Sequence, residues 1–336
     1  MSARLSARVS VRAAVSRRRF AALAAAAIAS PAVVRGQARW KPDKPITIYN
    51  PFAAGGVTDV HVRLLGEAVT KILGQQIVIE PRPGAAERLA ASQIARMKPD
   101  GYTLYLMTGG QAVVSATDRS LSYDLLKDFD FISIVTRFPF VLCVAPDSRF
   151  KTVQAYFDEA RKEPGKITYG TSGVGSTLHM AMELILEKTG IKMVHVPYKG
   201  GMGAPYSDLV GGRLDMHVAT FSSAQPLMRT DKMRALAVTS KERHPGFKDV
   251  PTIAETLVPD YDVVSWLGFT SPAGLPPAIR DRLYEAFKQA MARPEVKGKL
   301  EELGNDTRVT SPAEFRARVE ADMARWRPLA HVVSQS

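Results

Sequence analysis

Two spacings of apolar residues alternate along this chain. Short apolar runs are typical of buried strands, and longer segments with apolar residues every three or four positions are typical of helices. The runs predict strands at residues 46–49, 76–80, 102–107, 140–145, 167–169, 193–196, 214–219, 235–239 and 263–270. The longer segments predict helices at 59–73, 85–97, 152–161, 176–188, 204–210, 277–292, 294–303 and 312–326. This order predicts an α/β fold with a mostly parallel sheet and helices on both faces.

The first predicted helix illustrates the pattern. Helical spacing puts Val60, Leu64, Val69 and Ile72 on one face, and Gly74 ends the segment. The sequence therefore predicts an amphipathic helix with these four side chains on its apolar face.

The first 38 residues differ from the rest of the chain. They contain seven arginines and no acidic residue, and Arg17–Arg19 form a twin-arginine pattern. An alanine-rich apolar stretch follows over 20–34, too short for the roughly 20 apolar residues that span a bilayer. A small-x-Ala site, Gly36-Gln37-Ala38, ends it. We expect residues 1–38 to be a cleaved twin-arginine signal peptide and the remainder to be periplasmic. The alternative is a basic amphipathic leader that stays on the chain.

The leader also carries most of the net charge. The whole chain is +12, but 38 basic and 33 acidic residues remain without the leader, which leaves +5. Because the basic character leaves with the leader, nucleic acid is not an expected partner. Cys143 is the only cysteine, so no internal disulfide can form and the fold depends on its core.

Two glycine-rich turns stand between a predicted strand and a predicted helix, at 52–59 and at 169–177. Glycines let the backbone turn tightly and direct N–H groups at a ligand, and the helix start adds unpaired donors and the positive end of its dipole. Such turns bind anions without a fixed cation, and in open α/β sheets they lie at the carboxyl ends of strands. The pair predicts a shared cleft. The alternative is two ordinary turns in which Thr58 or Asp59 and Ser176 only cap helices.

Motifs of enzymes are weak in this sequence. Gly170–Val174 approaches the G-x-S-x-G turn of serine hydrolases, but Val174 stands in place of the last glycine. A hydrolase that uses Ser172 and His179 stays open as an alternative, although no acid partner is specified. Dinucleotide, P-loop and H-E-x-x-H motifs are absent, and the six histidines lack the spacing of metal ligands. We therefore expect no catalytic residue, no cofactor and no metal.

Ordered motifs run from about residue 45 to 326. They are PFAAGGVTD at 51–59, KPDGYTL at 98–104, YDLLKDF at 123–129, PGKITYGTSGVGSTLHMAMEL at 164–184, VPYKGGMGA at 196–204, DLVGGRLD at 208–215, MRALAVTSKERHPGFKDVPTIAE at 233–255 and WLGFTSPAGLP at 266–276. In their number and order they resemble the Bug receptors, the extracytoplasmic solute-binding components of tripartite tricarboxylate transporters.

The resemblance implies a type II periplasmic-binding-protein fold, with two Rossmann-like lobes joined by two hinge strands near 141–144 and 266–270. Lobe one would be 39–141 plus 267–336, and lobe two 142–266. Family members close on a carboxylate in the cleft, held by backbone amides and ordered waters. The matching positions for ligand contact are Phe52, Gly55, Gly56 and Asp59 in lobe one, and Thr171, Ser172, Gly173, Ser176, His179 and Asp215 in lobe two. For Asp215 a capping or turn role is an equal alternative.

Two loops depart from the family pattern. Ala54 replaces the second proline of PF-x-PGG, and the loop that usually reads ENRPGAGG has Pro81 for its asparagine and Ala86 and Glu87 for its last two glycines. The larger residues narrow the room for a ligand, and Glu87 adds negative charge if it faces the cleft. An amino-bearing, aromatic or amide ligand then competes with a simple dicarboxylate.

The function that follows is a periplasmic receptor, and not an enzyme. It would capture a small organic anion, a carboxylate, by lobe closure and deliver it as a monomer to the membrane permease subunits of a tripartite transporter. The hydrolase described above is one alternative. A ligand-sensing partner of a membrane signalling protein is another, because it would use the same closed shell.

Overall fold

The computed structural model describes residues 40–199 and 201–334, and the predicted signal peptide lies outside the described residues. The described strands are β1 (Ile46–Asn50), β2 (Ile77–Pro81), β3 (Thr103–Thr108), β4 (Phe129–Val144), β5 (Thr168–Thr171), β6 (Val194–Pro197), β7 (Met216–Thr220), β8 (Arg234–Val238), β9 (Val264–Pro272) and β10 (Asp306–Thr307).

Helices connect most of these strands. The described α-helices are α1 (Val57–Leu73), α2 (Arg88–Ile94), α3 (Gly109–Thr117), α4 (Val153–Lys162), α5 (Thr177–Thr189), α6 (Gly203–Val210), α7 (Phe221–Arg229), α8 (Ile253–Thr256), α9 (Pro277–Met291), α10 (Pro294–Glu302), α11 (Pro312–Trp326) and α12 (Ala330–Ser334). Two short 3₁₀ helices, Ala85–Glu87 and Arg327–Leu329, precede α2 and α12.

The strands form one continuous sheet in the order β2-β1-β3-β9-β4-β7-β5-β6, and β8 and β10 also pair with β4. The predicted α/β class is confirmed. Parallel pairing joins β2, β1 and β3 at one end and β6, β5 and β7 at the other, whereas β4 and β9 run antiparallel to their neighbours. The sheet is therefore more mixed than the strand–helix alternation predicts.

Strand β4 links the two parallel groups. It pairs with β9 from Phe129 to Pro139 and then with β7 from Phe140. The change of partner lies slightly before the predicted hinge at 141–144, within one strand of 16 residues. Trp40–Ser336 forms one compact unit, so the division into lobes 39–141 plus 267–336 and 142–266 stays a prediction.

Helix α1 packs on the sheet with most of the predicted face. Val69 is buried, Leu64 and Ile72 are half-buried against the core, and Val60 departs from the prediction. Val60 is 44% exposed, and the buried positions include His61, Leu65 and Val69. His61 occupies a core position, where its Nε2 accepts a hydrogen bond of 2.8 Å from Asn305 Nδ2. Burial lowers the pKa of His61 to about 4, which keeps the ring neutral.

The helix predicted at 85–97 begins later than expected. The segment starts as a 3₁₀ turn, and α2 covers only Arg88–Ile94. Helices α3 and α7 have no counterpart among the predicted helices. Both directly follow a strand, α3 after Thr108 and α7 after Thr220, so each begins at the carboxyl end of a strand.

Candidate ligand-binding site

Most of the predicted ligand residues lie in loops that follow the carboxyl ends of parallel strands. The carboxyl ends of β1, β2 and β3 lie side by side because these strands are parallel, and those of β5 and β7 do the same in the second group. The first loop, 51–56, follows β1, and the second, 172–176, follows β5. Both predicted turns therefore stand where ligands bind in open α/β sheets.

The first loop presents backbone to solvent at the start of α1. Gly56 is the N-cap residue, and no side chain accepts a hydrogen bond from the first turn. Gly55 and Gly56 are exposed, and Gly55 has a φ of 78°, which strongly favours glycine. An uncapped helix start of this kind has N–H donors and a positive dipole end available for an anion.

Asp59 supports this loop from behind. It is 3% exposed, and its Oδ2 accepts hydrogen bonds from the Gly55 N–H (3.0 Å) and from Arg63 Nε (2.7 Å). Asn50 Nδ2 donates to Oδ1 at 3.4 Å, and Asn50 Oδ1 accepts from the Phe52 N–H at 3.2 Å. Burial alone would raise the pKa of Asp59, but these hydrogen bonds outweigh it and hold the pKa below its ordinary value. Asp59 is thus placed as a positioning residue, and its direct contact with a ligand stays a prediction.

The second loop is also glycine-rich and precedes a helix, but the start of that helix is capped. Gly173 and Gly175 have φ values of 121° and 71°, and Ser172 is exposed. Ser176 caps α5, since its Oγ accepts from the His179 N–H at 3.2 Å. Thr171 is buried, and its Oγ1 forms a 2.7 Å hydrogen bond with His195 Nε2. In this loop Ser172 and Val174 are exposed, and Gly173 between them is half-buried.

His179 lies under the second loop, with 1% of its surface exposed. Its Nδ1 accepts the Gly175 N–H at 3.1 Å, which places its proton on Nε2, 3.5 Å from Glu183 Oε1. The ring stacks on His195 with centroids 3.9 Å apart. Since both ring nitrogens are turned to Gly175 and Glu183, His179 is not placed to act as a base for Ser172.

A buried polar cluster continues below this pair of histidines. Tyr169 donates a hydrogen bond to Glu183 and stacks on His195 with centroids 5.0 Å apart. Burial, with His179 close by, lowers the pKa of His195 to about 4. Burial opposes ionisation of Glu183, but hydrogen bonds from His179 and Tyr169 outweigh it and lower its pKa. The cluster holds the loop through two contacts, at Thr171 and Gly175.

Asp215 lies at the opposite edge of the sheet. Its Oδ2 accepts from the Thr168 N–H (2.9 Å) and the Thr168 Oγ1 (2.8 Å), so it joins the amino ends of β5 and β7. Ser172 follows the other end of β5, about 13 Å from Thr168 along the strand at 3.3 Å per residue. The structure thus gives Asp215 the turn role that the sequence left open, and a ligand contact for it stays a prediction.

The divergent loop at 80–87 turns its acidic residue inward. Glu87 is 8% exposed, and its Oε1 accepts a 2.6 Å hydrogen bond from Thr108 Oγ1. The negative charge that the sequence suggested for the cleft is therefore packed against the end of β3. Burial raises the pKa of Glu87 to about 7, although the hydrogen bond from Thr108 opposes this.

Several residues of this region escaped the sequence analysis, namely Asn50, Thr108, Glu183 and His195. The first holds Asp59, the second caps α3, and the last two support the second loop. A signal was present for Thr108, because Thr108-Gly109-Gly110 follows a strand as the two predicted turns do. Glu183 stands four residues after His179 on α5, so helical spacing was a signal for it. Nothing in the local pattern marks His195, which reaches the loop only through tertiary packing.

Comparisons with known proteins agree with this architecture. Residues 61–334 match the model of the tripartite tricarboxylate transporter family receptor (TctC). A UPF0065 protein in the gbd 5′ region of Cupriavidus necator is 35% identical over 85% of this chain and 88% of its own. In the part that the structure describes, no helix has the length and apolar character needed to cross a membrane.

Two solved structures are similar over most of their length. The R. palustris protein Rpa4515 with adipate has a TM-score of 0.78 and 33% identity, covering 87% of this chain and 98% of its own. The periplasmic binding protein BugD has a TM-score of 0.76 and 28% identity, covering 87% and 99%. The match to the family model, over far more than half of the sequence, shows that this chain belongs to the TctC/Bug family of solute-binding receptors.

Proposed function

We propose that this chain is a periplasmic receptor that captures a small organic anion, a carboxylate, between the loops at 51–56 and 172–176. The observation that carries this is the uncapped start of α1, where exposed Gly55 and Gly56 present backbone while Asp59 is turned inside. The carboxylate would accept hydrogen bonds from these amides, from Ser172 and Gly173 across the cleft, and from bridging waters. The adipate bound to the relative Rpa4515 supports a carboxylate as the ligand class.

Capture would proceed by closure of the predicted lobes. The two parallel groups of strands are connected through β4 and β9, and each group contributes one loop. A ligand that contacts both loops binds the closed form better and shifts the population towards it. The closed monomer would then dock on the permease subunits of a tripartite transporter. Export by the twin-arginine signal at 1–38 would place it outside the cytoplasm.

An added carboxylate at the N-cap of α1 tests the anion site. A Cβ at Gly56 would approach only Ala53 O, at 3.5 Å, and Asp is a favourable N-cap residue. Gly56→Asp should therefore fold at least as stably as the wild type but lose carboxylate binding. In wild-type 39–336, an acid at 100 times its Kd should add about 2.7 kcal/mol to the free energy of unfolding. Thermal-shift and calorimetric titrations with mono-, di- and aromatic carboxylic acids measure both effects.

The matched control is Thr152→Asp. It adds the same charge at the N-cap of α4, whose start follows the far end of β4, and Thr152 already caps that helix through the Ala155 N–H. Binding should survive this change. If no acid stabilises the wild type, or if Gly56→Asp binds as tightly as the wild type, the proposed site is wrong. Hydrolysis of activated esters that disappears in Ser172→Ala would instead support the hydrolase.

A further inference from the structure

The loop before α2 has an unusual backbone. Three consecutive residues, Ala85, Ala86 and Glu87, have φ values of 48°, 49° and 71°, and none of them is glycine. Residues with a Cβ adopt this region at an energetic cost, so the surrounding structure must hold them there. The consequence is that the chain doubles back and carries the Glu87 side chain under the loop, towards the end of β3.

The Glu87 carboxylate lies against the start of helix α3. Thr108 is the N-cap residue of α3 and binds both the Gly110 N–H (3.0 Å) and Glu87 Oε1 (2.6 Å) through its Oγ1. A Cβ added to Gly110 would stand only 2.4 Å from Glu87 Oε1, so the carboxylate occupies the space beside that residue. Its second oxygen, Oε2, is buried and makes no hydrogen bond of ordinary length among the described residues, although the Gln111 side chain lies close enough to lower the pKa of Glu87.

The start of α3 is one of three segments that lie side by side at the same end of the parallel strands. Because β1, β2 and β3 are parallel neighbours, the first loop, the Glu87 loop and the start of α3 follow adjacent carboxyl ends. A helix N-terminus in this place is a favourable position for an anion. Here the chain's own carboxylate fills the position beside α3, while the start of α1 remains open.

From this geometry we infer that Glu87 occupies the position for a second carboxylate, and that the receptor selects monocarboxylates with an uncharged far end over dicarboxylates. This inference rests on the proposed function of the site. A second ligand carboxylate would meet the ionised Glu87, and the neighbouring cation of this loop, Arg88, is already paired with Asp118 at 2.8 Å. Like charges at short range repel strongly away from water. The exposed apolar side chains beside these loops, Val57, Val60 and Leu89, suit an apolar ligand body.

Calorimetry at pH 8 with matched acids tests the selectivity. The pairs are butyrate and succinate, hexanoate and adipate, and benzoate and terephthalate, with 6-aminohexanoate as a cationic probe. For at least one pair, wild-type 39–336 should bind the monocarboxylate about tenfold or more tightly than the diacid, and no diacid should be preferred. Glu87→Gln removes the charge, and Glu87→Gly also empties the space and relieves the positive φ. Both should reduce the preference, Glu87→Gly by more.

Glu80→Gln is the matched control. It removes one carboxylate from the same segment, but Glu80 is 39% exposed and pairs with Arg82 at the surface. Its preference for monocarboxylates should equal that of the wild type. Thermal unfolding of every variant checks that each one is folded.

The outcomes separate the inference from the proposed function. A wild-type receptor that prefers diacids, or a preference unchanged in Glu87→Gly, overturns the inference and leaves the receptor function standing. Tighter binding of 6-aminohexanoate than of hexanoate, lost in Glu87→Gln, also overturns it, because Glu87 would then recognise a cation. If no acid binds the wild type or the variants, the proposed function fails and the inference falls with it.

Discussion

Glu87 shows how one buried carboxyl affects the pH dependence of folding. Its pKa rises from 4.5 to about 7 on folding, mainly through burial. Below pH 4.5 the carboxyl is protonated in both the folded and the unfolded state, so it does not change the free energy of unfolding. As the pH rises towards 7, only the unfolded state ionises freely, so folding loses stability. Above pH 7 the loss is complete, at about 3 kcal/mol for a shift of this size.

The expected result is a pH-dependent gain from Glu87→Gln. Relative to the wild type, the variant's free energy of unfolding should rise by about 3 kcal/mol between pH 4.5 and pH 8. Urea unfolding curves at both pH values measure it, and contributions of other titrating groups cancel in the difference. The Glu80→Gln change at the surface is the control measured beside it. If the difference for Glu87→Gln does not vary with pH, burial does not raise the pKa of Glu87.

Single residues also mark the limit of sequence reasoning. Gly55 and Gly56 could be assigned to an exposed turn because their backbone freedom is a local property. For Asp59 the sequence predicts ligand contact, which stays a prediction, but it does not reveal the hydrogen bonds that its carboxylate accepts from Asn50 and Arg63. The sequence identifies a polar residue near a loop, but its direction depends on partners that only the folded chain supplies.

Contacts from the neighbouring elements α5 and β6 determine the shape of the second loop. The start of α5 and the strand β6 place His179 and His195 in a stack beneath it, and His179 Nδ1 holds the Gly175 N–H. A side chain that accepts this hydrogen bond should preserve the loop even when the imidazole is gone. Asn is such a residue, because its Oδ1 lies near the place of Nδ1.

His179→Ala and His179→Asn therefore separate packing from positioning. Both lose the buried ring, and each should lower the free energy of unfolding by roughly 2–4 kcal/mol. Affinity for a carboxylate should fall about fivefold in His179→Ala and much less in His179→Asn, because one hydrogen bond to the loop is worth about 1 kcal/mol. Calorimetry and urea unfolding measure the two quantities. Equal losses of affinity in both variants would show that the loop does not depend on this hydrogen bond.

The elements themselves were partly predictable. Strands β1, β3 and β7 and helices α5, α9 and α11 follow their sequence patterns closely because one face or run is consistently apolar. Helix α3 begins with Gly109-Gly110, which are poor helix formers, and only the Thr108 cap and tertiary packing stabilise it. The first half of β4 carries Ser133 and Thr136 at fully buried positions, so polarity concealed the strand.

Whole-molecule behaviour depends on the two parallel groups of strands and the connection through β4 and β9. Their outermost strands are β2 and β6, which carry exposed valines at Val78 and Val194. Cysteine labels at these two positions would report movement of one group relative to the other. The natural Cys143 does not interfere, because it is fully buried and burial raises the pKa of its thiol.

If the groups act as closing lobes, a saturating carboxylate should change and narrow the distance distribution between labels at Val78→Cys and Val194→Cys. Labels at Val194→Cys and Val210→Cys are both exposed, lie in the same predicted lobe and should show no change. Double electron–electron resonance measures the distances in both label pairs. The radius of gyration in solution should fall when the carboxylate binds. With Gly56→Asp the distributions should stay those of the free protein, because the ligand no longer bridges the loops. Tight binding with both distances unchanged would mean that this receptor captures its ligand as a rigid shell, without lobe closure.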